Sequence, residues 1–220
     1  MAFSIPGQES KLFMDLFVDG TAGRLEARYS KAAPATGVTA VLCHPHPQFG
    51  GTMNDPVLGA LESALLSSGI SSLRFNFRGV GGSEGKYGDG VGEIDDVVAV
   101  TAWVRERSVG ERIILVGYSL GGAVALSAQE LLAPECMILV APALGMFGQQ
   151  HPSTLPTLVI FAGNDQFVSV DSTNGWFDDS NTRVEQITET DHFFVGHHDQ
   201  ITKTAVDFLT TTFIEQSLEF

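Results

Sequence analysis

Short apolar runs recur along the chain, separated by segments in which apolar residues return every third or fourth position. Thr39 to Cys43 (TAVLC), Ile113 to Val116 (IILV), Met137 to Val140 (MILV) and Leu158 to Ala162 (LVIFA) are continuous and apolar. Runs of this kind predict strands buried on both faces of a sheet. Ser71 to Phe77 predicts a further strand, and Val184 to Ile187 a weaker one. Between them lie helical patterns. Asp55 is a good N-cap and Pro56 suits a first helical position. Val57, Leu61 and Leu65 then form one stripe, and Gly69 ends the helix. Glu93 to Arg107 predicts a second helix, with Ile94, Val97, Val98, Thr101 and Val104 facing inward and Gly110 as its stop. Its acids at the start and arginines at the end suit the helix dipole. Ala123 to Leu131 is small, apolar and helix-compatible, and Ile201, Ala205, Phe208 and Leu209 mark a last helix. At the other end, Lys11 to Val18 and Arg24 to Ser30 flank Asp19-Gly20-Thr21-Ala22-Gly23, the pattern of an antiparallel hairpin. Strands alternating with helices predict an α/β fold with a mainly parallel, doubly wound sheet. No repeat or composition shift divides the chain, so residues 1–220 are expected to form a single domain.

Composition narrows the function classes. Of 220 residues, 44% are hydrophobic and only 17% charged, which suits a full core and argues against disorder. Twelve basic against 26 acidic residues give a formal net charge of −14. Such a chain repels nucleic acid and anionic membranes, and no basic patch offsets this. There is no signal-peptide pattern and no apolar run of spanning length, so a cytoplasmic location is expected. Cys43 and Cys136 both sit in strand-like runs and read as small core hydrophobes. Monomer and homodimer are both compatible with this sequence.

The chemistry centres on Gly117-Tyr118-Ser119-Leu120-Gly121, followed by Gly122. This is G-x-S-x-G between a buried strand and a small-residue helix, the context in which the motif marks a nucleophile. A strand turning sharply into a helix strains its corner residue and needs small neighbours for close approach. Ser119 is that corner, at a helix N-terminus that favours developing negative charge.

With these residues in view, the chain resembles the α/β-hydrolase superfamily. More narrowly, it is similar to small lidless serine hydrolases that carry HPHPxxGGTMND, here His44-Pro45-His46-Pro47-Gln48-Phe49-Gly50-Gly51-Thr52-Met53-Asn54-Asp55. The resemblance runs from about Leu12 to Leu209 and implies the α/β-hydrolase fold. No lid domain is expected, since only Ala141 to Pro156 separates the strand ending at Val140 from the next. Met146 and Phe147 in that loop are candidate substrate-binding residues, with ordinary loop packing as the competing reading.

The resemblance also implies an order of catalytic groups: serine, then acid, then histidine. Asp165 follows the strand Leu158 to Ala162, whereas Asp171, Asp178 and Asp179 read as solvated loop acids. Asp165 could also simply stabilise its own turn. His44, His46 and His151 precede the acid. Of His192, His197 and His198, His192 lies in Asp191-His192-Phe193-Phe194, which resembles the family's DHFF stretch, with the aromatic pair expected to pack beneath the loop. Asp191 is next to His192, and adjacent side chains diverge, so it is not assigned as the orienting acid. Backbone N–H groups of Leu120 and of the loop after Cys43 are the expected oxyanion donors. Pro45 and Pro47 have no N–H, which leaves His44, His46, Gln48 or Phe49, and alignment with the superfamily's His-Gly pair implies His46. The rings of His44 and His46 are expected to act as scaffold.

Arg78-Gly79-Val80-Gly81-Gly82-Ser83 resembles the superfamily's D-x-R-G-x-G-x-S loop, with Asn76 where aspartate is usual. It is expected to be structural. Neither glycine cluster completes a nucleotide-binding fingerprint. The histidines 44, 46, 197 and 198 match no zinc spacing, so no metal or cofactor is expected. A serine at position 119 argues against dehalogenase and dienelactone-type chemistry. The expected activity is a carboxylesterase-like serine hydrolase acting on a small-molecule acyl substrate. Thioester or peptide cleavage by the same triad, and a catalytically vestigial binding protein, are the alternatives.

Overall fold

The apolar runs assemble into one eight-stranded sheet in a computed structural model that describes residues 13–107, 112–146, 151–173, 175–177 and 180–217. In chain order the strands are β1 (Phe13–Gly20), β2 (Gly23–Ser30), β3 (Val38–Cys43), β4 (Ser71–Phe75), β5 (Arg112–Tyr118), β6 (Cys136–Val140), β7 (Thr157–Ala162) and β8 (Thr182–Ile187). The helices are α1 (Pro56–Ser67), α2 (Gly92–Arg107), α3 (Leu120–Leu132) and α4 (His198–Ser217). The spatial order is β1-β2-β4-β3-β5-β6-β7-β8. The hairpin β1–β2 is antiparallel and joins β4 antiparallel; every later pairing is parallel.

The central strands β3 to β7 are buried along their length, save half-buried Arg112 at the start of β5, which is why they read as apolar runs. β8 is an edge strand, buried only at Ile187 and partly at two other positions, and so its signal was weaker. β4 ends at Phe75, two residues short of the expected strand. Beyond it, Asn76 N–H donates to Glu26 O and Phe77 N–H to the His44 ring, so these donors leave the ladder.

Two apolar layers cover the sheet. Val57, Leu61 and Leu65 of α1 join Ile201 and Phe208 of α4 against one face. Val97, Val100 and Val104 of α2 join Val124 and Leu126 of α3 against the other. Chain direction along the sheet reverses between β3 and β5, and the carboxyl ends of the strands at such a point form a crevice. The N-cap of α1 is Asp55, whose Oδ1 accepts from Val57 N–H at 2.8 Å and Leu58 N–H at 3.4 Å.

The acids at the start of α2 do more than oppose a dipole. Glu93 is buried and accepts N–H donors from Gly88 and Gly90, at 2.9 Å each. Buried Asp96 pairs with Arg78 at 2.7 Å. They pin the glycine loop after β4, whose expected role was structural. No helix among the described residues is long and apolar enough to cross a membrane. Cys43 and Cys136 are buried free thiols, and burial pushes the Cys136 thiol up to about 12.

Candidate active site

Ser119 stands at the corner where β5 turns into α3, at φ 54° and ψ −116°. Such a backbone costs on the order of 1–3 kcal/mol and persists only where its surroundings hold it. Two glycines make the corner sterically feasible. A Cβ on Gly117 would lie 2.4 Å from the Gly121 carbonyl oxygen, and one on Gly121 would lie 2.1 Å from the Cys43 carbonyl oxygen. Hydrogen bonds fix the turn from both sides: Ser119 N–H donates to Val140 O, and Ala143 N–H donates to Ser119 O. The serine side chain makes no capping bond to its own helix, and it points to His192.

The three residues expected from motif order converge. His192 Nε2 lies 3.1 Å from Ser119 Oγ, and His192 Nδ1 lies 2.7 Å from Asp165 Oδ2. A carboxylate only accepts, so Nδ1 carries the proton and Nε2 faces the serine hydroxyl as an acceptor. The side chains of both His192 and Asp165 are almost fully buried. Burial alone would raise the Asp165 pKa, but the bonds it accepts outweigh this. His192, Val168 N–H (3.0 Å) and Phe167 N–H (2.8 Å) together hold it below the ordinary carboxylate value. The turn-stabilising role of Asp165 and its contact with His192 therefore coexist, one on each oxygen. Asp191 diverges as expected, is exposed, and accepts from Phe193 N–H. His197 and His198 lie at the start of α4, His151 is remote on the loop before β7, and Asp171 is exposed. Asp178 and Asp179 lie outside the described residues.

The loop after β3 is held by hydrogen bonds to its two histidine rings. His44 is fully buried; Nδ1–H donates to Pro45 O at 2.6 Å, and Nε2 accepts from Phe77 N–H at 3.1 Å. Desolvation lowers its pKa to about 4, so it is neutral at physiological pH. The His46 ring accepts from Gln48 N–H through Nδ1 and meets Tyr87 Oη at 3.0 Å through Nε2. Both histidines thus serve as scaffold with both ring nitrogens engaged. Within this loop, the N–H groups of Gln48, Phe49, Gly50 and Gly51 are all committed to His46 or Pro47.

A cavity of about 470 Å³ opens over Ser119. Pro45, His46, Phe49, Gly50, Gly51, Asp55, Tyr118, Ala143, Met146, Phe167, Val168, His192 and Phe193 complete its lining. Met146 is in the wall, as its loop position suggested. Phe147 lies outside the described residues. The aromatic pair after His192 does not pack together beneath the loop. Phe194 is fully buried, whereas Phe193 is 53% exposed and turns to the cavity. The Phe194 backbone is left-handed, at φ 53°. Phe49, Asp55, Tyr118 and Phe167 were not foreseen as lining residues.

The sequence from residue 40 to 210 matches the model of the alpha/beta hydrolase family. The chain belongs to that family. It is 30% identical over 211 residues to the uncharacterized protein RP471 of Rickettsia prowazekii, covering 89% of this chain and 88% of that one. It superposes on XC6422 of Xanthomonas campestris, an α/β serine hydrolase without a lid, with a TM-score of 0.85. Identity there is 30%, over 91% of this chain and 95% of the other. An α/β serine hydrolase homologue from Coxiella burnetii gives a TM-score of 0.82 at 31% identity, over 88% and 96% of the two chains. Here too, only residues 141–156 connect β6 to β7, the stretch where a lid domain would be inserted.

Proposed function

We propose that this hydrolase cleaves carboxylic esters through an acyl-enzyme, with Ser119 as nucleophile, His192 as general base and Asp165 as its orienting acid. The observation that carries this is the continuous contact Asp165–His192–Ser119, at 2.7 and 3.1 Å, at the floor of an open cavity. In the acylation step the Ser119 Oγ–H proton passes to His192 Nε2 as Oγ bonds to the acyl carbon. The C=O electron pair moves to oxygen, giving a tetrahedral oxyanion. When it collapses, the ester C–O bond breaks and His192 returns the proton to the leaving alcohol. Water repeats the sequence, releasing the acid and restoring Ser119.

The oxyanion requires two donors fixed in advance. Leu120 N–H, at the first helical position of α3, is one. The second is assigned to His46 N–H. Supporting this, His46 lines the same cavity as Ser119. Asp165 keeps the imidazole in the tautomer that accepts from serine and offsets the imidazolium charge that forms. Met146 serves as an apolar wall for the substrate, in a fold carrying no lid and so an open mouth. A panel of p-nitrophenyl esters, assayed with wild type and Ser119→Ala, tests the reading. Turnover by wild type and its loss in a folded variant are expected; equal turnover by both would overturn it.

A further inference from the structure

The cavity over Ser119 has an unbalanced lining. Among the described residues no Lys or Arg lines it, while the acidic residue Asp55 does. Asp55 Oδ1 accepts both capping N–H bonds of α1, and Oδ2 accepts no hydrogen bond among the described residues. The helix end supplies roughly half a positive charge, so the capped carboxylate keeps a net negative field. Among the described residues no arginine or lysine pairs with it, and the titratable groups near it are His192 and His198. Beside the polar groups of His46, Tyr118, Ser119 and His192, large apolar side chains come to it from separate loops: Phe49 after β3, Met146 after β6, Phe167 after β7 and Phe193 after β8. Phe49 is 87% exposed and Met146 and Phe167 60% each. Side chains of this size standing in solvent around a cavity mark a surface that a ligand covers.

We propose that this cavity selects substrates by charge, taking an uncharged apolar arm and rejecting one that ends in a carboxylate, with Asp55 as the specificity-determining residue. The proposal rests on the hydrolase reading of Ser119 and extends it to substrate class. A carboxylate entering the cavity would lose water without gaining a cationic partner, and it would meet a like charge at short range. A neutral alkyl or aryl arm meets neither cost and buries the exposed aromatic walls. The net charge of −14 adds a weaker, screened repulsion in the same direction.

The test compares p-nitrophenyl hemiglutarate with its methyl ester, which shares the chain and differs in the terminal charge. At pH 8 and low salt, kcat/KM for the hemiglutarate should be at least roughly tenfold lower. Asn caps helices as well as Asp does, so Asp55→Asn removes the charge and keeps the cap; Asp55→Ser serves if that variant is unstable. In either variant the ratio between the two esters should shrink roughly threefold or more. Asp207→Asn, an exposed change on α4, should leave the ratio as in wild type. Equal turnover of the two esters by wild type would overturn the charge filter and leave the hydrolase reading standing. A ratio unmoved in both Asp55 variants, or moved equally by Asp207→Asn, would remove Asp55 from the role. Failure to hydrolyse even the methyl ester, with no serine adduct from a fluorophosphonate, would overturn the hydrolase reading itself.

Discussion

The hydroxyl of Tyr118 donates to the backbone carbonyl of His192 at 2.8 Å. The residue before Ser119 thus holds the loop that carries His192. The two rings also lie 5.5 Å apart, and Tyr118 meets buried Phe194 edge-on. The strained corner of β5 and the loop after β8 come from distant parts of the chain. This bond, together with the Ser119–His192 contact itself, fixes their spacing.

Tyr118→Phe keeps the ring and removes the tie. A buried carbonyl would then lose its donor, at a cost of about 1 kcal/mol in stability. With His192 less well held, kcat should fall roughly tenfold while KM stays within about twofold, because proton transfer is more sensitive to placement than substrate contact is. Steady-state kinetics on one neutral ester, with a thermal melt, checks both. A variant with unchanged kcat would show that the loop is held without Tyr118.

Asp165→Asn tests the orienting acid. The amide can present its N–H₂ to His192 Nδ1, stabilising the tautomer that no longer accepts from Ser119. The expected loss in kcat is roughly 10³–10⁴-fold with the fold retained. A loss below tenfold would assign Asp165 only to its turn.

His44 predicts a pH dependence of stability. Its folded pKa is about 4, below the ordinary value of 6.5, because burial disfavours the charged form. The unfolded chain therefore binds this proton first. The contribution is fully present above pH 6.5 and is lost as pH falls through about 4. Its full size is on the order of 3 kcal/mol. Urea unfolding of wild type and His44→Gln from pH 7.5 to 4 should show a smaller acid-side decline in the variant. Parallel curves would exclude His44 as the source.

Asn76 explains a departure from the superfamily pattern. Its Oδ1 accepts from Met53 N–H at 2.8 Å, and its Nδ2–H donates to Glu26 Oε2 at 2.6 Å. Aspartate could make the first bond but would set a carboxylate against Glu26. Asn76→Asp should therefore destabilise by about 1–3 kcal/mol at neutral pH. Like-charge contact raises a carboxyl pKa in the folded state, so the penalty should diminish as pH falls through that raised value. Denaturant midpoints at pH 7 and 5 would show this; an equal penalty at both would refute the charge conflict.

Much of this architecture was legible because its signals are local. Gly117, Ser119 and Gly121 are required within one turn, and the buried strands are continuous runs. Asp165 and His192 were reachable through chain order once the serine was placed. The cavity was not legible. Phe49, Asp55, Phe167 and Phe193 belong to four segments whose convergence no periodicity encodes. Asp55 in particular announced itself only as an N-cap, a role it also fills. The pairing of Asn76 with Glu26 and Met53 likewise depends on β2 and β4 lying side by side.

The central claim is an activated nucleophile at Ser119, and the most direct measurement is fluorophosphonate labelling read by intact mass and peptide mapping. It requires no choice of natural substrate. A single adduct on Ser119, absent in Ser119→Ala and strongly slowed in His192→Ala, is the result predicted. A folded wild-type protein that takes no adduct, or labels elsewhere, would contradict the account and leave a hydrolase fold serving as a binding protein.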